Sequence, residues 1–205
     1  CEDLKEIAKK NNTNAYKLLS DKSKDIPAGC YEIIPIFSDK MNYISWKHAA
    51  PSFINMTIDP NKTNRYSLFK SIMENAAIVS YNNIKTIENF SNINIDYLTF
   101  AGGAANDSVW CQILADVLQL EVRTTKVKEA TALGAAICAC VGVNLYKDFY
   151  EAADICVKKD IVYYPDKNNQ KVYANLINKF NDVYKIQLEL ADKNLTTHMW
   201  KAVGE

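Results

Sequence analysis

The sequence predicts an α/β fold, with helices flanking both faces of a mixed or parallel sheet, and three observations carry that expectation. Short β-prone runs alternate with longer stretches of helical period along most of the chain. One such alternation is complete in a single stretch. Tyr97-Leu-Thr-Phe100 reads as a buried strand, Gly102-Gly103 as a sharp turn, and Val109, Trp110, Ile113, Leu114, Val117 and Leu118 as the apolar face of a helix leading to a strand at Leu120–Thr124. Finally, 205 residues of which 48% are apolar are enough for one full domain with a sizeable core.

Taken in order, Leu4, Ile7, Ala8, Ala15, Leu18 and Leu19 among charges predict one helix or two short ones broken near Asn11-Asn12. Ile26-Pro-Ala-Gly29 is punctuation. Tyr31 to Phe37 is β-prone, but Pro35 argues for an edge position or a strand that ends there. Lys40 to Ser52 reads as a loop containing Trp46, His48 and Pro51, with His48 expected to find a backbone partner. Phe53 to Ile58 alternates as a strand or extended segment, and Asp59-Pro60 opens a turn. A long helix is predicted from Thr63 to Phe90, weakened in its middle by Asn82-Asn83. After the glycine turn, Ala130 to Val141 is a small-residue helix in which Gly134 reads as a packing glycine. A short helix at Asp148–Val157, a strand or extended arm at Ile161–Tyr164 and a last helix at Asn168–Lys193 complete the expected elements.

The composition excludes several classes. Lysine plus arginine equal aspartate plus glutamate, so the formal net charge is zero and no electrostatic footprint for nucleic acid or an anionic membrane exists. No apolar run approaches membrane-spanning length and the first residues lack the apolar core of a signal peptide, so the expected location is cytoplasmic. The six cysteines do not read as a disulfide scaffold, and Cys138 and Cys140 are expected to be reduced core residues. With only two histidines, His48 and His198, and no C-x-x-C, a metal site on this chain is not expected. The N-x-[ST] triplets are taken as a consequence of asparagine-rich composition.

The glycine turn has two readings on local pattern alone. It is either a tight strand–helix connection or a place where free backbone N–H groups at a helix start meet a phosphate or nucleotide edge. Neither a G-x-G-x-x-G nor a G-x-x-x-x-G-K-[ST] is present. Asn106, Asp107 and Ser108 are all good N-cap types.

Ala101-Gly-Gly-Ala-Ala-Asn-Asp-Ser-Val-Trp-Cys-Gln-Ile-Leu-Ala-Asp116, followed by Glu129-Ala-Thr-Ala-Leu-Gly-Ala-Ala136, resembles the adenosine-binding segment of the FGGY carbohydrate kinases. A second block, Ala50–Ile58 followed by Leu68–Ala77, resembles the family's loop, strand and helix with an acidic residue, here Glu74, to which no catalytic role is given. The resemblance implies the second domain of an actin-like, ribonuclease-H-like ATPase fold. Residues 1–205 would then be the C-terminal, nucleotide-side domain, lacking its first strands and preceded in the whole protein by an N-terminal substrate and catalytic domain.

The same resemblance implies ATP and Mg²⁺ as cofactors and a small-molecule substrate. Gly102, Gly103 and Ala104 would lie beneath the adenosine with backbone contacts, and Asn106 or Asp107 would give a side-chain hydrogen bond. Trp110 and Asp116 are assigned to packing and helix anchoring, and no residue of this chain is named as the catalytic base. Three stretches, Ile34–Asp39, Trp46–Pro60 and Leu195–Ala202, resemble the branch that phosphorylates the quorum-sensing signal autoinducer-2, 4,5-dihydroxypentane-2,3-dione, at a primary hydroxyl. Alternatives are a xylulose- or glycerol-type kinase of the same family, or a non-catalytic nucleotide-binding module that docks a partner such as a phosphocarrier protein. Ala104-Ala-Asn-Asp107 departs from the third glycine and following basic or serine residue that many relatives carry.

Overall fold

The computed structural model describes residues 2–39 and 47–201. Helices α1 (Glu2–Lys10) and α2 (Ala15–Ser23) are separate, as the Asn11-Asn12 break predicts, and Asn14 starts α2 by accepting the Lys17 N–H at 2.8 Å. Gly29 then turns the chain at φ 78°, where a Cβ would stand 2.8 Å from Val172 Cγ1. Two requirements therefore meet in that one residue: a left-handed backbone and the absence of a side chain.

The β-prone run that follows is shorter than predicted. Cys30–Glu32 forms a 3-10 turn with all three residues at positive φ, and only Ile34–Ile36 is strand (β1). Strand β1 pairs antiparallel with β3 (Ser52–Ile54), placing Pro35 opposite Phe53. Each strand of this two-stranded sheet has one neighbour, the edge setting that proline tolerates. Asn55, at φ 64°, ends β3 well before Ile58.

Residues 40–46, including Trp46, lie outside the described residues. Strand β2 (Lys47–His48) receives the C-terminal segment as β7 (Trp200–Lys201), and His48 O accepts the Met199 N–H at 3.1 Å. Both histidines sit on this strap. The His48 ring meets a side chain and not the expected backbone partner, with Nδ1 3.3 Å from the Tyr184 hydroxyl. His198 Nε2 stands 2.9 Å from Asp192 Oδ1, which Lys47 Nζ also reaches at 2.8 Å.

Helix α3 (Arg65–Ser91) opens on a capping box formed by Asn64 and Ser67. It runs unbroken through Asn82-Asn83, because the Asn82 amide donates to Asn181 Oδ1 at 2.8 Å and ties α3 to the last long helix. That helix, α7 (Gln170–Asp192), joins α3 and α4 (Ser108–Leu118) in the core. Met73, Ala77, Ile78, Ile113, Leu114, Val117, Tyr173 and Phe180 are its centre.

The main sheet is mixed, as predicted: β4 (Tyr97–Phe100) runs parallel to β5 (Glu121–Thr125), which pairs antiparallel with β6 (Lys159–Tyr163). Strand β4 is not the buried strand expected from its composition. Tyr97 is 46% exposed, because the outer face of the sheet is covered by its own side chains: the Arg123 guanidinium lies 3.7 Å over the Tyr97 ring and pairs with Glu121 at 2.7 Å. The inner face, with Leu98, Phe100 and Val122, joins the core.

Helices α5 (Ala130–Gly142) and α6 (Phe149–Cys156) depart furthest from expectation. Helix α5 has no buried residue, and a Cβ at Gly134 would meet nothing within 4 Å. Gly134 is therefore not a packing glycine among the described residues. Nor are Cys138, which is exposed, and Cys140, half-buried, core residues. Among the described residues α5 packs chiefly on α6, whose own Phe149 and Tyr150 are 56% and 86% exposed. No described helix is long and apolar enough to cross a membrane.

Candidate functional site

The glycine turn leaves β4 in a conformation that only glycine adopts readily: Gly102 has φ 89° and ψ −174°. Its N–H donates to Lys128 O at 3.1 Å, fastening the turn to the segment that enters α5. Gly103–Asn106 then forms a 3-10 turn, closed by Ala105 N–H on Gly102 O and Asp107 N–H on Ala104 O at 3.1 and 3.0 Å. A Cβ added at Gly102 or at Gly103 would meet nothing within 4 Å, so both α-carbons face open space.

Asp107 is the N-cap of α4. Its Oδ1 accepts the N–H groups of Val109 and Trp110 at 2.9 and 3.3 Å and the Ser20 hydroxyl at 2.7 Å. One carboxylate oxygen therefore starts α4 and binds α2 to it. Asn106 is exposed beside it.

The open space at Gly103 is a cavity of about 520 Å³. Gly103, Ala104, Asn106, Asp107 and Ser108 form one wall, Asn14, Tyr16 and Lys17 of the α2 entry another, and Phe69, Ile72 and Met73 of α3 a third. The structure thus brings together four of the five residues singled out from sequence, with Gly102 at the hinge behind them. Trp110 packs edge-on against Phe100, with centroids 6.3 Å apart, as expected, and it also lines the cavity. Asp116 is an anchor, as expected: it is buried, accepting Gln112 Nε2 at 2.7 Å, Asp166 N–H at 2.9 Å and Asn169 Nδ2 at 2.8 Å.

Sequence reasoning missed the walls from α2 and α3. Tyr16 is 75% exposed on a polar helix, and Ile72, on the apolar side of α3, is 39% exposed and lines the cavity. The available signal was an apolar stripe on α3, at 69, 72 and 73, wider than one buried face requires.

Glu74 is a buried packing carboxylate. Its Oε1 accepts the Gly29 N–H at 3.0 Å and the Tyr173 hydroxyl at 2.9 Å, while Oε2 has no partner. Burial raises its pKa to about 7 against the pull of Lys70 and these two hydrogen bonds. The hydroxyl of Tyr173 is pushed upward by burial and by the neighbouring Glu74. Among the described residues no group of three or more His, Cys, Asp or Glu side chains is placed to hold a metal ion.

Comparison with known proteins places this geometry in a family. Residues 2–143 match the model of the FGGY family of carbohydrate kinases, C-terminal domain. A protein of Enterobacter sp. (strain 638) named autoinducer-2 kinase is 45% identical over all of this chain, and its namesake in Escherichia coli (strain K12) is 44% identical. This chain spans 38% of the length of each. Among solved structures, the xylulose kinase of Rhodospirillum rubrum superposes with a TM-score of 0.69 at 20% identity, covering 86% of this chain and 35% of that one. The glycerol kinase of Plasmodium falciparum with ADP gives 0.66 at 20% identity, over 82% of this chain and 33% of that one. These likenesses establish the fold as that of the sugar kinases, its mixed sheet and helices being consistent with the expected actin-like architecture. By its family match and by its identity to those kinases, the chain belongs to the FGGY carbohydrate kinases.

Proposed function

We propose that this chain is the nucleotide-side portion of an ATP-dependent kinase that phosphorylates autoinducer-2 at a primary hydroxyl. The observation that carries the nucleotide role is the coincidence of the bare Gly103 α-carbon with a cavity of about 520 Å³ at the start of α4. Gly102, Gly103 and Ala104 lie beneath the adenosine, where the lack of side chains at the glycines lets the backbone approach the base and sugar. Asp107 Oδ1 already holds three donors, so exposed Asn106 is the residue with a polar side chain to give. Tyr16, Phe69 and Trp110 supply apolar and aromatic walls.

ATP supplies the phosphoryl group, with Mg²⁺ neutralising its phosphates. No metal ligands are assigned to this chain. The carboxylate that accepts the hydroxyl proton, the first phosphate loop and most substrate contacts belong to an N-terminal domain, and that domain also supplies the first strands of the sheet. Support for the substrate is the 44–46% identity to proteins named autoinducer-2 kinase. A phosphocarrier protein is a candidate regulatory partner, and the cytoplasm the expected location.

The test is a phosphorylation assay on the full-length gene product, offering dihydroxypentanedione, xylulose and glycerol side by side. Preference for the pentanedione is expected. Preference for xylulose or glycerol would overturn the substrate while keeping the ATP site, and ATP binding without turnover on any of them would make the protein a non-catalytic module.

A further inference from the structure

A second cavity, of about 360 Å³, lies between the end of α2, α3, α4 and the start of α7. It shares only Ser108 with the first. Its distinctive group is Lys70, which is 7% exposed. The Lys70 ammonium donates to the Ile26 carbonyl and attracts the buried Glu74 carboxyl, which lies beyond ion-pair distance. Glu74, one turn further along α3, uses Oε1 for Gly29 and Tyr173. A buried ammonium with one carbonyl acceptor keeps further N–H groups for an anion beyond the partial compensation that Glu74 gives it. Lys24, whose ammonium pairs at the surface with Asp21 at 3.2 Å, also lines this cavity.

The carboxylate in the lining, Asp116, is already satisfied. Three donors hold it, two of them the amide N–H groups of Gln112 and Asn169, and Gln112 also donates to Tyr164 O at 2.8 Å. Both N–H groups of Gln112 and one of Asn169 are thus engaged, and both amides carry carbonyl oxygens, which accept hydroxyl protons. Two ammonium groups suit a phosphate dianion, and the amide oxygens suit a polyol. From this arrangement we propose that the cavity binds a small hydroxyl-bearing phosphate monoester, at a site separate from the nucleotide pocket.

Isothermal titration of the full-length protein with glycerol 3-phosphate, in saturating ADP, tests this, with glycerol as the neutral control. Glycerol 3-phosphate is expected to bind and glycerol not. Lys70→Met is expected to weaken binding about tenfold, the size of one charge-assisted hydrogen bond. Lys24→Ala, at an exposed position that keeps the fold intact, is expected to weaken binding as well while leaving ADP affinity and kinase turnover unchanged. No heat with glycerol 3-phosphate in the wild type overturns the proposal. So does undiminished binding in Lys24→Ala, or binding measured without ADP that disappears in Gly103→Asp and survives Lys24→Ala.

Discussion

Two adjacent glycines do different work. Gly102 sits at φ 89° and ψ −174°, so Gly102→Ala strains the backbone by about 1–3 kcal/mol although its methyl would find room. Gly103 has no positive φ and open space above it. Gly103→Asp is therefore expected to leave the thermal midpoint near wild type while weakening ATP binding at least about tenfold, since a carboxylate would stand where the nucleotide is proposed to lie. A melting curve and a nucleotide titration on the same two variants separate these roles. Equal ATP affinity in Gly103→Asp would remove the glycine turn from the site. Glu74 gives a pH prediction. Its folded pKa of about 7 lies above the ordinary 4.5, so between those values the folded state holds a proton that the unfolded state has released. Stability should fall as pH rises from about 4.5 to about 7, by roughly 3 kcal/mol, and then level off. Urea midpoints of wild type and Glu74→Gln from pH 5 to 8 check this. The substitution should flatten the profile, and an unchanged slope would show that other groups set it.

Helix α4 depends on one side chain at its entry. Asp107→Ala removes the acceptor of two α4 N–H groups and of Ser20, and should cost about 1–2 kcal/mol in denaturant unfolding, whereas Asp107→Asn should keep most of it. Elements whose cause is local were legible in the sequence: the Asn11-Asn12 break, the α3 helix, and the strand, turn and helix from Tyr97 to Leu118. Cys30–Glu32 was illegible because three non-glycine residues at positive φ leave no compositional mark, their conformation being forced by Gly29 seated against α7. The faces of α5 were illegible for another reason. Helical period predicts that an apolar side is buried only where the fold supplies a partner, and among the described residues that partner is chiefly α6. In the candidate site, the motif wall could be read from Gly103 to Asp107, but Tyr16 and Phe69 reach it from distant positions that share no spacing with it.

At the scale of the molecule, the uncovered flank formed by α5, α6 and their connection is the largest departure from a finished globule, with Val143, Leu145, Phe149 and Tyr150 all more than half exposed. If upstream strands cover it, the 205-residue piece should bind a fluorescent apolar dye strongly and show no kinase turnover, and the full-length protein should lose the dye signal. Equal dye binding by both would show that the flank is open in the whole protein too. The strap formed by β2 and β7 has a different use. The chain contains two histidines, and each touches this strap, one against Tyr184 and the other against Asp192. In a proton magnetic resonance spectrum the imidazole region of this piece would hold just two residues' signals, both reporting on the same few ångströms of chain, so release of the C-terminal segment could be followed without any label.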